Sequence, residues 1–77
     1  MTNTPNELAE QFPEAIEKMH ELKTSDAHFA KLFDDYHEIN RAVHRAETNV
    51  EPTDDFHLED MRKERLALLD EIASMLR

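Results

Sequence analysis

Three groups of side chains in this sequence have types that could do chemistry. The first is a set of five histidines: His20, His28, His37, His44 and His57. Imidazoles ligate metals and titrate near neutral pH. Chelation on one helix needs ligands three or four residues apart, and no two of these histidines have that spacing. His37 and His44 lie two turns apart, about 10 Å along a helix axis, too far to share an ion. Mixed pairs do occur: Asp34 with His37, His44 with Glu47, and His57 with Asp54 or Asp60. With 18 acidic residues in the chain, such pairs arise readily by chance. No metal site is therefore assigned.

The second group is the adjacent acid pairs Asp34-Asp35 and Asp54-Asp55. General acid–base work needs a concave, partly dry site that perturbs pKa values. The elements derived below form no such pocket, and Asp54-Asp55 reads more simply as negative charge at a helix N-terminus. No catalytic or cofactor-binding residue is assigned, and the chain is not expected to be an enzyme or to take a small-molecule substrate. The third group is basic: Arg41, His44 and Arg45, then Arg62, Lys63 and Arg65. These segments could bind phosphate, but acids stand near them, and a salt-bridged, solvated face is the simpler reading.

These residues are positioned by two apolar stripes of equal length. One is Phe29, Leu32, Tyr36, Ile39, Val43 and Ala46; the other is Leu58, Met61, Arg65, Leu68, Ile72 and Met75. Both step by three and four residues, the period of one helix face. Asn49 and Pro52 stop the first helix, and Thr53, Asp54 and Asp55 start the next. Helices over 26–47 and 54–76 would each be roughly 33 Å long, which favours an antiparallel pair. Upstream, Pro13 disfavours helical geometry at Phe12. A shorter helix over about 13–23 follows it, with Ile16, Met19 and Leu22 on one side. Residues 1–12 are read as a frayed segment or short turn, with a capping box at Thr4-Pro5-Asn6-Glu7 as an alternative. Ser25 can cap a helix beginning at Asp26, yet no proline or glycine forces a break there. One continuous helix from 13 to 47 stays open.

The expected fold is thus all-α: an antiparallel, coiled-coil-like helical hairpin with a shorter N-terminal helix, in one domain over 13–77. A turn centred near residue 50 sets Lys31 near Asp70, Glu38 near Lys63 and Arg41 near Asp60, and places Arg65 against the Tyr36 ring. A second row on the last helix, Leu66, Leu69, Ala73 and Leu76, needs a further neighbour, and Phe33 raises the same need. A chain of 77 residues without cysteine has no disulfide to compensate for a small core. These five residues are accordingly the candidate interface, for a second copy in a homodimer or for another protein. The N-terminal helix of the same chain is the other way to cover the row.

The net charge of −9 repels phosphate backbones and anionic membrane surfaces. Glycine is absent, which excludes glycine-rich phosphate loops and dinucleotide fingerprints. Residues 1–6 carry no basic side chain and no apolar run follows, so neither a signal peptide nor a membrane span is expected, and a cytoplasmic location is the default.

Several segments resemble a known family: Phe12-Pro13-Glu14, Phe29-Ala30-Lys31-Leu32-Phe33, the stretch from Tyr36 to Glu47, and the stretch from Met61 to Ile72. Together they are similar to the YdcH-like family of small bacterial proteins, over roughly residues 12–76. The most specific part is Lys63-Glu64-Arg65-Leu66 with Asp70-Glu71-Ile72. The resemblance implies a bacterial, cytoplasmic helical hairpin and no activity, cofactor or catalytic residue. Position 69 is often basic in such proteins; Leu69 departs from that and strengthens the second apolar row. The leading expectation is a non-enzymatic protein-interaction module. The alternatives are a nucleic-acid-associated regulator using Arg41/Arg45 and Arg62/Lys63/Arg65, and a histidine-based pH- or metal-responsive switch acting near about pH 6.

Overall fold

The computed structural model describes residues 6–48 and 54–77. The expected capping residues Thr4 and Pro5 and the helix-stop residues Asn49 and Pro52 lie outside the described residues. The described chain is all-α: α1 (Leu8–Gln11), a 3-10 turn (Pro13–Ala15), α2 (Ile16–Ser25), α3 (Ala27–Glu47) and α4 (Asp55–Leu76). The long helices α3 and α4 pack on each other, and α2 packs on α3. Among the described residues before Pro13, Leu8–Gln11 form one helical turn, and its Leu8 is built into the core.

Local chemistry explains each boundary. Phe12 has φ −131° and ψ 65°, outside helical space, as the proline that follows demands. Asp26 has φ −132° and ψ 106°, so one extended residue separates α2 from α3. Its carboxylate accepts from the backbone N–H groups of His28 (3.0 Å) and Phe29 (3.2 Å). Two amides with no partner inside their own helix are thereby satisfied. The expected Ser25 cap is corrected: Ser25 closes α2, its hydroxyl donating to the Glu21 carbonyl at 2.8 Å, and Asp26 is the cap of α3. The continuous 13–47 helix is excluded by the same residue. Asp54 starts α4, its carboxylate accepting from the His57 N–H at 2.8 Å. Thr48 ends α3, with both its N–H and its hydroxyl donating to the His44 carbonyl.

The core lies between α3 and α4 and under the N-terminal segment. Phe29, Leu32 and Tyr36 of α3 meet Ile72 of α4, Met19 of α2 and Leu8 of α1; Leu68, Leu69, Met75 and Leu76 pack around them. Burial follows the expected stripe through Phe29, Leu32, Tyr36 and Val43. Between Tyr36 and Val43 it departs. Ile39 is half-buried, and the fully buried residue is Asn40, whose side chain accepts from Arg65 Nη1 at 3.1 Å. Arg65 therefore gives its guanidinium to an amide rather than to the Tyr36 ring. A buried amide is tolerated because that charged donor reaches it.

Cross-hairpin pairing also differs in detail. Lys31 bonds Asp35 one turn along its own helix (3.0 Å) instead of reaching Asp70. Arg62 spans the hairpin to Glu47 (2.9 Å) and also holds Glu59 (3.0 Å). Both cross-helix arginines bond residues further along α3 than a turn centred near 50 would place them: Arg65 reaches Asn40 rather than Tyr36, and Arg62 reaches Glu47 rather than Ile39. Side chains on a helix lean toward its N-terminus, which on α4 is the end beside Glu47, and the offset runs in that direction.

Candidate functional site

The second row of α4 is where the N-terminal segment meets the hairpin. Leu69 and Leu76 pack against the core, and Ala73 is half-buried. Phe12, Pro13 and Ala15 line a shallow hollow with Ala73 and Leu76. Lys18 Nζ donates to the Leu76 carbonyl at 3.3 Å, satisfying one of the last acceptors of α4. At this end the row is covered within the chain. At the other end it emerges: Leu66 is 57% exposed. There Asn6, Gln11, Arg62, Arg65, Leu66 and Leu69 rim an open groove whose floor includes Tyr36.

Two further polar contacts hold the N-terminal segment on the hairpin. The Tyr36 hydroxyl donates to the Asn6 carbonyl at 2.6 Å. Asn6 adopts φ 61°, a left-handed conformation that asparagine tolerates better than most residues, and this turns its carbonyl toward the ring. Burial pushes the Tyr36 phenol above its ordinary range; nearby Arg65 opposes that rise and Glu7 adds to it. Next along, Glu7 Oε2 lies 3.0 Å from His37 Nδ1. The His37 ring stands 4.6 Å from the Phe33 ring, and the Lys23 ammonium sits 4.2 Å from the Phe33 centroid. Phe33, one of the five candidate interface residues, is thus half-buried between α2 and α3. Its need for a neighbour is met inside the chain.

The other chemistry-bearing groups are dispersed. His20, His28 and His57 are exposed, and His44 is half-buried at the far end of α3. Among the described residues no three His, Cys, Asp or Glu side chains are grouped to hold a metal ion. Asp34 is exposed, Asp35 is paired with Lys31, and Asp54 is a helix cap. Of the basic segments, Arg41 and Lys63 face solvent, while Arg62 is engaged with Glu47 and Glu59. Bonding to Glu47 first and Glu59 second pushes the Arg62 guanidinium further into its charged range. No helix among the described residues is long and apolar enough to cross a membrane.

Leu8 carries no expectation from the sequence, and Asn6 and Glu7, expected only as parts of a capping box, instead meet Tyr36 and His37. Leu8 is 1% exposed, as buried as Tyr36 of α3. The available signal was the four-residue step from Leu8 to Phe12, one helical turn of apolar spacing just before the Pro13 break.

A family model described as a protein of unknown function (DUF465) matches residues 29–76. No curated protein and no solved structure matches. The matched span begins at the first core residue of α3 and ends at the last residue of α4, so it takes in the hairpin and leaves out α1 and α2. The chain belongs to the DUF465 family, the YdcH-like family of small uncharacterised proteins.

Proposed function

We propose that this chain is a non-enzymatic helical interaction module in a bacterial cytoplasm. It pairs with a second copy of itself through the open end of the α4 row. The observation that carries the reading is Leu66, an aliphatic side chain left 57% exposed at the end of a row otherwise half-buried. An apolar row that runs out from under its cover ends in surface a partner can bury. Arg62 and Arg65 rim the same groove. Glu10, Glu14 and Glu17 are exposed on the N-terminal segment, acids that a second copy could offer to this arginine-rimmed groove. Charge complementarity of this kind fixes orientation more than it adds affinity.

The test is sedimentation equilibrium from micromolar to near-millimolar protein, on the wild type and on Leu66→Lys. The reading expects a wild type that self-associates and a variant that associates much more weakly, with its helical circular dichroism intact. A wild type that is monomeric throughout overturns self-pairing on this face. So does a dimer that ignores the substitution.

A further inference from the structure

We infer that the chain also forms a second kind of dimer, in which two copies exchange their N-terminal segments by straightening at Asp26. This uses the inner surface between α3 and α4 and is independent of Leu66.

The hinge is one residue long. The Asp26 N–H already bonds the Leu22 carbonyl (2.8 Å), and the Ala30 N–H already bonds the Asp26 carbonyl (3.0 Å). Both are the i to i−4 bonds of an uninterrupted helix. Helical hydrogen bonding therefore reaches Asp26 from both sides. A straight helix would add three bonds, from the N–H groups of Ala27, His28 and Phe29 to the carbonyls of Lys23, Thr24 and Ser25. In the closed chain the Asp26 carboxylate serves two of those amides itself. Apart from the docking of the N-terminal segment, the local break thus rests on one side chain, and neither glycine nor proline stands between residues 14 and 51 to enforce it.

Straightening would make one helix from Ile16 to Glu47, about 48 Å long at 1.5 Å per residue. The closed molecule measures 37 Å along its longest axis. The N-terminal segment would then project beyond its own hairpin, and Leu8 would leave the pocket formed with Tyr36 and Ile72. A second copy opened in the same way offers the same pocket. Each exchanged contact is chemically identical to the one lost, including Tyr36 to Asn6 and His37 to Glu7. The closed and exchanged forms differ only at the hinge and in the entropy of association, the condition under which domain exchange is accessible.

The hinge can be biased in either direction. Asp26→Ala removes the cap and favours the straight helix. Loss of a cap changes a folding equilibrium about 5-fold, so two hinges shift the dimer constant on the order of 25-fold. Ala27→Pro does the reverse: proline is favoured at the first helical position and disfavours helical geometry at the residue before it. Both are made in the Leu66→Lys background, which removes pairing on the outer face.

The experiment is sedimentation equilibrium on the parent, Asp26→Ala, and Asp26→Ala with Ala27→Pro. It is paired with isotope-filtered NOE spectra on a mixture of labelled and unlabelled Asp26→Ala chains. The expected result is a dimer strengthened on the order of 25-fold by Asp26→Ala and returned to monomer by Ala27→Pro. Leu8 methyls should show NOEs across chains to Tyr36 and Ile72. If Asp26→Ala loses its helical signal, Asp26→Glu takes its place, being a poor cap that keeps the charge and favours helix. The inference is overturned by a capless variant no more dimeric than its parent, by a dimer indifferent to Ala27→Pro, or by Leu8 NOEs found only within chains.

Discussion

Leu8→Ala is the substitution that weighs the N-terminal segment most directly. Leu8 is 1% exposed and touches a cluster that includes Met19, Tyr36 and Ile72. Truncating a buried leucine costs about 2–5 kcal/mol, the spread reflecting how far the site collapses. Here α1 is a single helical turn, so it can shift inward and fill part of the void. That puts the cost in the lower half, about 2–3 kcal/mol. A domain this size has roughly 4–12 kcal/mol in total, so the loss is a large fraction. With a urea slope of about 1 kcal/mol/M, suited to a short chain, the unfolding midpoint falls by about 2–3 M. Urea titration followed by far-ultraviolet circular dichroism reads this shift. Glu10→Ala, one turn position away and exposed, is the control and should move stability by under about 0.5 kcal/mol. A Leu8→Ala midpoint indistinguishable from that control would refute the reasoning, because it would mean that α1 lies loose and the α4 row is open along its whole length.

Three further outcomes follow from the same packing. Leu32→Ala and Ile72→Ala should each cost about 2–4 kcal/mol, while Glu59→Ala, which removes only an exposed pairing with Arg62, should cost under about 0.5 kcal/mol; equal denaturant midpoints would contradict the assigned core. Arg65→Met keeps the apolar stem but takes the charged donor from buried Asn40, and should cost about 1–3 kcal/mol in the same titration; no loss would show that the bond is dispensable. Tyr36, the single tyrosine, should ionise above the ordinary phenol range, because its burial favours the neutral form. Its contribution to stability is complete below the unfolded-state phenol pKa of about 10 and is lost as pH rises through the higher folded value. An ultraviolet pH titration that finds ionisation at or below the ordinary value would contradict the buried hydroxyl.

Much of the fold could be read from spacing and punctuation. The steps Phe29, Leu32, Tyr36, Val43 define the buried face of α3, and Pro13 and Asp54 mark boundaries the structure keeps. What could not be read depends on three-dimensional docking. Asn40 stands four residues after Tyr36 and three before Val43, so it occupies the stripe by position. As a polar residue it carries no sequence signal of burial, and the Arg65 guanidinium that helps to stabilise it arrives only when α4 docks. Leu8 belongs to a single turn, too short for a period to emerge, and its burial depends on where that turn docks. The Asp26 break turns on which of two adjacent residues caps the helix; the carboxylate wins because it reaches two amides while the Ser25 hydroxyl turns back to Glu21. The candidate row on α4 was legible as a row. That its Ala73 and Leu76 end lies under the chain's own N-terminal segment, leaving Leu66 outside, was not.

Methyl chemical shifts recorded across a protein dilution series read pairing at the open end of that row. Leu66 and Leu69 methyl resonances should move with concentration along one saturable curve, while Leu32 and Val43, sealed between α3 and α4, stay fixed. Leu66 and Leu69 resonances that hold still up to near-millimolar protein would contradict that pairing.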